Sequence, residues 1–83
     1  MSFEFRGMFI PTDMTDSIDR YVKGKIPPGG FLSAVIANDL LAAVQRADDI
    51  NMRVIPAYVA YLYKHAPANC WGSEENFKSW LQS

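Results

Sequence analysis

The stretch that decides the fold is Pro27 to Asn51, PPGGFLSAVIANDLLAAVQRADDIN. Two prolines and two glycines open it, a long apolar segment follows, and Asp48, Asp49 and Asn51 close it. Pro28 has a fixed φ suited to a first helical turn, where the N–H it lacks has no intrahelical partner anyway. At about 100° per residue, Leu32, Ile36, Leu40, Ala43, Val44 and Ala47 fall on one side. The spacing therefore predicts one continuous helix over residues 28–47, with that stripe facing the core. The other side mixes Phe31, Val35, Leu41 and Ala42 with Asn38, Asp39, Gln45 and Arg46. A solvated face does not carry that much apolar surface, so the helix is expected to make contacts on both sides.

Working outward, three shorter helices and an arm surround it. Residues 13–23 place Met14, Ile18, Tyr21 and Val22 at helical spacing. Thr12 or Thr15 is available as a cap, Asp13 and Asp16 sit favourably at the positive N-terminal dipole, and Gly24 is placed to end the helix. Residues 52–65 carry Ile55, Tyr58, Val59 and Leu62 on one face, with Ala66 next on it just beyond. Pro56 falls in the first turn of that helix, which is expected to bend or loosen before it. Asp48 and Asn51 are both good N-cap residues for the same helix. Ser73 caps a last short helix over 74–82, whose Phe77 and Trp80, with Trp71 before it, fasten it to the core. Residues 1–10 read as an extended arm in which Phe3 and Phe5 alternate with Glu4 and Arg6 until Gly7 breaks the pattern. The expected fold is all-α: a compact single-domain bundle of three main helices and a short fourth, with an N-terminal arm.

Composition narrows the classes of function. Eighty-three residues make one domain, and 49% hydrophobic against 20% charged residues is enough to fold it. A core this small is marginal, so homo-oligomerisation is expected. Eight Lys and Arg against nine Asp and Glu give a net charge of -1. With no cluster of basic residues, nucleic-acid binding is not expected. No apolar run reaches the ~18 residues of a membrane span, and the N-terminus lacks the apolar core of a signal peptide. The single cysteine, Cys70, allows no internal disulfide and fits a reducing, cytoplasmic setting.

Asn38 and Asp39 are the least ordinary polar residues, adjacent in a predicted helix interior where both have poor propensity. One reading is a binding dyad, with Asp39 as acceptor and Asn38 as donor and acceptor for a ligand or a partner's backbone. The other is structural, the pair bonding a neighbouring loop or helix start and setting how the helices cross. Gly29 and Gly30 at a helix start, with Lys23 and Lys25 nearby, allow an anion site or a plain turn. Phe31, Val35, Arg46 and Tyr61 complete the candidate ligand- or partner-binding set. Tyr58, Tyr61 and Tyr63 offer rings for stacking, although tyrosines in small domains mostly fill core and rim. His65 beside Lys64 at a helix end, and Cys70 five residues on, form no catalytic signature. Asp48, Asp49 and Asn51 lack the spacing and terminal Glu of a calcium loop and read as caps. No metal, cofactor or catalytic residue is expected.

A wider pattern runs through Tyr21, Ile26, Pro28-Gly29, Phe31-Leu32, Ala34-Val35, Asn38-Asp39-Leu40, Ala43, Ala47-Asp48 and Asn51. It continues in Tyr61-Leu62-Tyr63, Ala66-Pro67 and Cys70-Trp71-Gly72-Ser73. It resembles short proteins encoded by tailed phages and prophages and spans roughly residues 18–80, while Pro56 and the Phe-rich arm lie outside it. The resemblance carries no catalytic assignment. What it implies is a setting, the cytoplasm of a bacterial host, and a non-enzymatic accessory role. In that role the protein binds and inhibits or modulates a host factor, such as a component of a defence system. Two other roles fit the same setting: a sponge for a small nucleotide signal, and a structural or assembly component of the phage particle.

Overall fold

In the computed structural model, which describes residues 3–83, the chain begins as a tight hairpin. Strands β1 (Glu4–Phe5) and β2 (Met8–Phe9) pair antiparallel, Glu4 opposite Phe9 and Phe5 opposite Met8. Arg6 and Gly7 turn the chain with φ of 52° and 82°, and the Glu4 carboxylate accepts from the Gly7 N–H. Two successive positive φ values give the backward twist that a two-residue hairpin needs. The expected arm is thus a folded hairpin, and its Met1 and Ser2 lie outside the described residues. Ile10, fully buried, pins it to the core.

Helix α1 (Thr12–Gly24) buries Thr15, Ile18 and Tyr21. Neither threonine caps it: Pro11 occupies the cap position, and the Thr15 hydroxyl donates to the Thr12 carbonyl at 2.9 Å. Gly24 stays helical, and Lys25 takes the left-handed position at φ 55°, donating its N–H to the Tyr21 carbonyl. A side chain there costs roughly 1–2 kcal/mol. An attraction offsets part of that cost, because the Lys25 ammonium lies 3.8 Å from the centre of the Trp80 ring.

The predicted helix over 28–47 is two helices, α2 (Gly30–Ile36) and α3 (Leu40–Arg46). Asn38 sits at φ 60°. Its N–H donates to the Val35 carbonyl at 3.1 Å, and the Asp39 N–H donates to Ala34 at 2.8 Å. That is the double closure of a left-handed helix end, built on Asn in place of Gly. Asp39 then caps α3, its carboxylate accepting from Ala42 N–H at 3.1 Å. The corner also dismantles the expected stripe. Leu32, Ile36 and Ala43 are buried, whereas Leu40 is 67% exposed and Val44 is also exposed.

The predicted helix over 52–65 is likewise divided. Asp48 caps α4 (Asp49–Arg53), accepting from Asn51 N–H at 2.7 Å. Val54, at φ -120° and ψ 18°, breaks the chain before α5 (Ile55–His65), which carries Pro56 in its first turn. Tyr58 donates its hydroxyl to Asn51 at 2.6 Å, bracing the two helices across the break. A 3-10 turn (Ala68–Cys70) leads to α6 (Glu74–Gln82), capped by Ser73 as expected.

Helix α2 is the centre, touching α3, α5 and α6. Around it Ile18, Tyr21, Ile36, Tyr58, Leu62 and Cys70 are fully buried. Tyr21 donates to the Cys70 carbonyl at 2.8 Å and stacks on Phe77, and Trp80 donates to the Tyr21 carbonyl at 3.1 Å. The Gly72 N–H donates to the Ile36 carbonyl at 2.8 Å, filling one of the acceptors left open at the end of α2. The fold is mostly helical, with one short hairpin where all-α was expected. Its radius of gyration is 11.6 Å, close to the ~12 Å of a compact chain of this length.

Candidate functional site

Helices α3 and α5 border a common hollow and leave apolar rows uncovered. On α3, Leu40 and Val44 are one turn apart. On α5, Ile55, Val59 and Tyr63 repeat every fourth residue, a row ~12 Å long. Val59 is 46% and Tyr63 79% exposed. A small hollow of about 40 Å³ between the helices holds Val35, Asn38, Asp39, Leu40, Ile55 and Val59. A larger one of about 560 Å³ continues from Ile55 and Val59 to Pro56, Tyr63, Lys64, Phe5 and Trp71. Together they form one apolar trough.

Its charges lie at its ends. Among the described residues Lys64 is the only charged one lining the larger hollow, and the Arg6 guanidinium lies 5.2 Å from the centre of the Phe5 ring in the same wall. Asp39 borders the opposite end.

The candidate residues expected from sequence do not converge on one site. Val35, Asn38 and Asp39 line the small hollow. Phe31 is buried edge-on to Tyr58, with ring centres 5.3 Å apart. Gly29 caps α2 through its backbone, and the Gly30 carbonyl accepts from Arg46 Nη1 at 3.4 Å. Arg46 shares a polar cleft of about 450 Å³ with Asp39 and Glu74. An anion entering it meets two carboxylates and one guanidinium already engaged by Gly30. Lys25, which would have to reinforce an anion site, is drawn to Trp80. Tyr61 lies apart from both hollows, its hydroxyl donating to Asp19 at 2.7 Å. Of the stacking candidates, Tyr58 is buried and hydrogen-bonded, and Tyr63 is the one whose ring stands open on the trough.

Sequence reasoning passed over Leu40, Val59, Tyr63 and Trp71 as lining residues. A signal was present: α5 is apolar almost all round its circumference, and a helix of that kind has neighbours on more than one side.

Cys70 is fully buried, and burial pushes its thiol pKa up, against the thiolate that nucleophilic chemistry uses. Among the described residues no group of three or more His, Cys, Asp or Glu is placed to hold a metal ion. No described helix is long and apolar enough to cross a membrane. Comparison with known proteins finds no family model, curated protein or solved structure that the chain matches.

Proposed function

We propose that this chain is a non-enzymatic binding protein that attaches to another protein through the α3/α5 trough. In the setting implied by the phage and prophage resemblance, that partner is a bacterial host factor whose activity the binding modulates. The observation that carries the reading is the trough itself. Val59 and Tyr63 stand open around a concavity of about 560 Å³, and Leu40 stands open at the smaller hollow that shares Ile55 and Val59 with it. Burying one large apolar side chain is worth ~1.5–3 kcal/mol, so leaving several in water calls for an occupant. The charge pattern specifies it: apolar side chains at helical spacing, with a carboxylate at one end to meet Lys64 and Arg6.

A nucleotide-sponge role has less support, because the polar cleft at Arg46 sets two carboxylates against one cation. Thermal-shift measurement separates the two readings. A nucleotide at 100 times its Kd adds ~2.7 kcal/mol of stability, whereas the protein-binding reading expects none.

The direct test compares wild type, Val59→Asp and Lys78→Ala in capture from host extract and in light scattering. One protein retained by wild type and Lys78→Ala in stoichiometric amount, and lost by Val59→Asp, supports a host partner on the trough. Self-association abolished by Val59→Asp would instead make a second copy the occupant. Capture unaffected by Val59→Asp overturns the assignment of the face.

A further inference from the structure

A second cleft lies on the other side of α5. Tyr61 and His65, one turn apart, follow Val59 and Tyr63 by two residues each and so point ~200° away around the helix. The facing wall belongs to α1, where Thr12, Thr15, Asp16 and Asp19 follow the spacing of a single helical face. Phe3 closes one end, and the cleft encloses about 320 Å³. One wall therefore carries hydroxyls and carboxylates, and the other aromatic rings.

The aromatic wall is braced before any ligand arrives. Phe3 meets Tyr61 edge-on at 5.2 Å and His65 edge-on at 5.8 Å, and Tyr61 and His65 are 4.8 Å apart. The Tyr61 hydroxyl donates to Asp19 at 2.7 Å, which fixes ring and carboxylate together across the cleft. That bond uses one Asp19 oxygen. Asp16 has neither a hydrogen-bond donor nor an ion-pair partner among the described residues, where the sole ion pair is Lys78 with Glu74. The carbonyl end of α5 adds partial negative charge at His65. Burial, the Asp19 hydrogen bond and the charges of Asp19 and Asp16 all push the Tyr61 phenol pKa up, so the ring lies within the field of both carboxylates. Lys64 sits outside the lining with its ammonium 6.0 Å from the centre of the Phe3 ring, and Arg20 and Lys23, one turn beyond Asp16 and Asp19 on α1, make no ion pair with them.

Aromatic rings and two carboxylates, Asp16 without a partner and Asp19 with one oxygen engaged, attract an organic cation to the cleft and repel an anion. A guanidinium fits better than an ammonium. It is planar and weakly hydrated, it stacks on rings, and its forked N–H groups span carboxylates one turn apart. The volume lies at the lower limit of ligand pockets, enough for a side-chain-sized group. We propose that this cleft is a guanidinium-binding site, holding the head of a free arginine derivative or of an arginine side chain against Phe3, Tyr61 and His65, with its N–H groups on Asp16 and Asp19. Its lining shares no residue with that of the trough.

The test is a titration of ¹⁵N-labelled protein with arginine amide, with citrulline amide as the uncharged isostere, and with a blocked Gly-Arg-Gly peptide. Arginine amide is expected to shift Asp16, Asp19, Tyr61 and His65 saturably, with a Kd on the order of 1–10 mM. Citrulline amide is expected to leave them in place, and Asp16→Asn to weaken binding by about fivefold. Asp16→Asn breaks no bond of the fold, and Asp19→Asn, which keeps an acceptor for Tyr61, provides a second variant. Tighter binding of the free amide assigns a small-molecule source, and tighter binding of the peptide a protein side chain; both support the site. Equal shifts with citrulline amide, or a titration unchanged in both variants, overturn it. Val59→Asp must leave the arginine titration intact, which separates failure here from failure of the trough.

Discussion

Asn38 and Asp39 divide one corner between them. Asn38 ends α2 in the left-handed region at φ 60°, and Asp39 starts α3 by accepting the Ala42 N–H on its carboxylate. Asp39 also donates its own N–H back to Ala34, so the end of one helix and the beginning of the next share a residue. The pair acts as a hinge pin between helices, and its polarity serves the backbone.

Stability should follow that division of labour. Asp39→Ala removes a cap and is expected to cost ~1 kcal/mol. Asn38→Gly should be neutral within about 0.5 kcal/mol, because glycine adopts the left-handed region freely, while Asn38→Val should cost at least ~1–2 kcal/mol. Urea unfolding of the three variants checks the order, and each kcal/mol corresponds to about 4–8 °C in Tm.

Tyr21→Phe deletes the hydroxyl that serves the Cys70 carbonyl in the core. The acceptor left behind is buried, so the loss should be ~1–3 kcal/mol although the ring and its stack on Phe77 survive. A midpoint shift in urea with an unchanged slope is the expected signature.

Alkali should destabilise the fold before it damages the chain. Burial raises Tyr21, Tyr58 and Tyr61 above their ordinary 10.0, and Cys70 above its ordinary 9.0. The folded state therefore keeps protons that the unfolded chain releases. This contribution is complete below about pH 9, and it is lost as pH rises past the ordinary value of each group toward its raised folded one. Unfolding free energies measured between about pH 7 and pH 11 should fall across the upper half of that range.

Cys70 should resist thiol reagents in the native protein and react at the rate at which the core opens. Its labelling by a disulfide reagent is expected to accelerate in proportion to the unfolded population as urea is added. Rapid labelling in the absence of denaturant would show a thiol outside the core.

Adjacent residues on α5 should behave oppositely. Leu62→Ala opens a cavity in the core and is expected to cost about 2–5 kcal/mol. Tyr63→Ala, at a residue 79% exposed, should stay within about 0.5 kcal/mol of wild type in stability. Any larger effect of Tyr63→Ala belongs to binding, and calorimetry against the captured partner reads it.

The sequence disclosed the caps Asp48 and Ser73, the extent of α6, the break before Pro56 and most of the central core. It misled at Asn38 because the apolar repeat continues on paper through a corner where the helix stops. Periodicity reports which residues are apolar, and it is blind to a change of axis. The Asn-Asp pair was the available sign, since Asn suits the left-handed end and Asp the following cap. The exposure of Leu40 and Val59 was not legible, because a stripe identifies a face without saying what covers it. The partner of Tyr61 was not legible either, since Asp19 lies 42 residues away and only the crossing of α1 and α5 brings them together.

Helix α6 buries none of its residues, yet it holds Tyr21 from 56 to 59 positions away through the Phe77 carbonyl and the Trp80 indole. A nascent chain still missing residues 74–82 has no means of covering the ring face of Tyr21 or of fixing the end of α1. Folding must then wait for long-range closure, which is slow compared with forming the local helices. A chain cut before residue 74 would therefore meet proteases as an open chain, although none of the nine residues of α6 is itself buried.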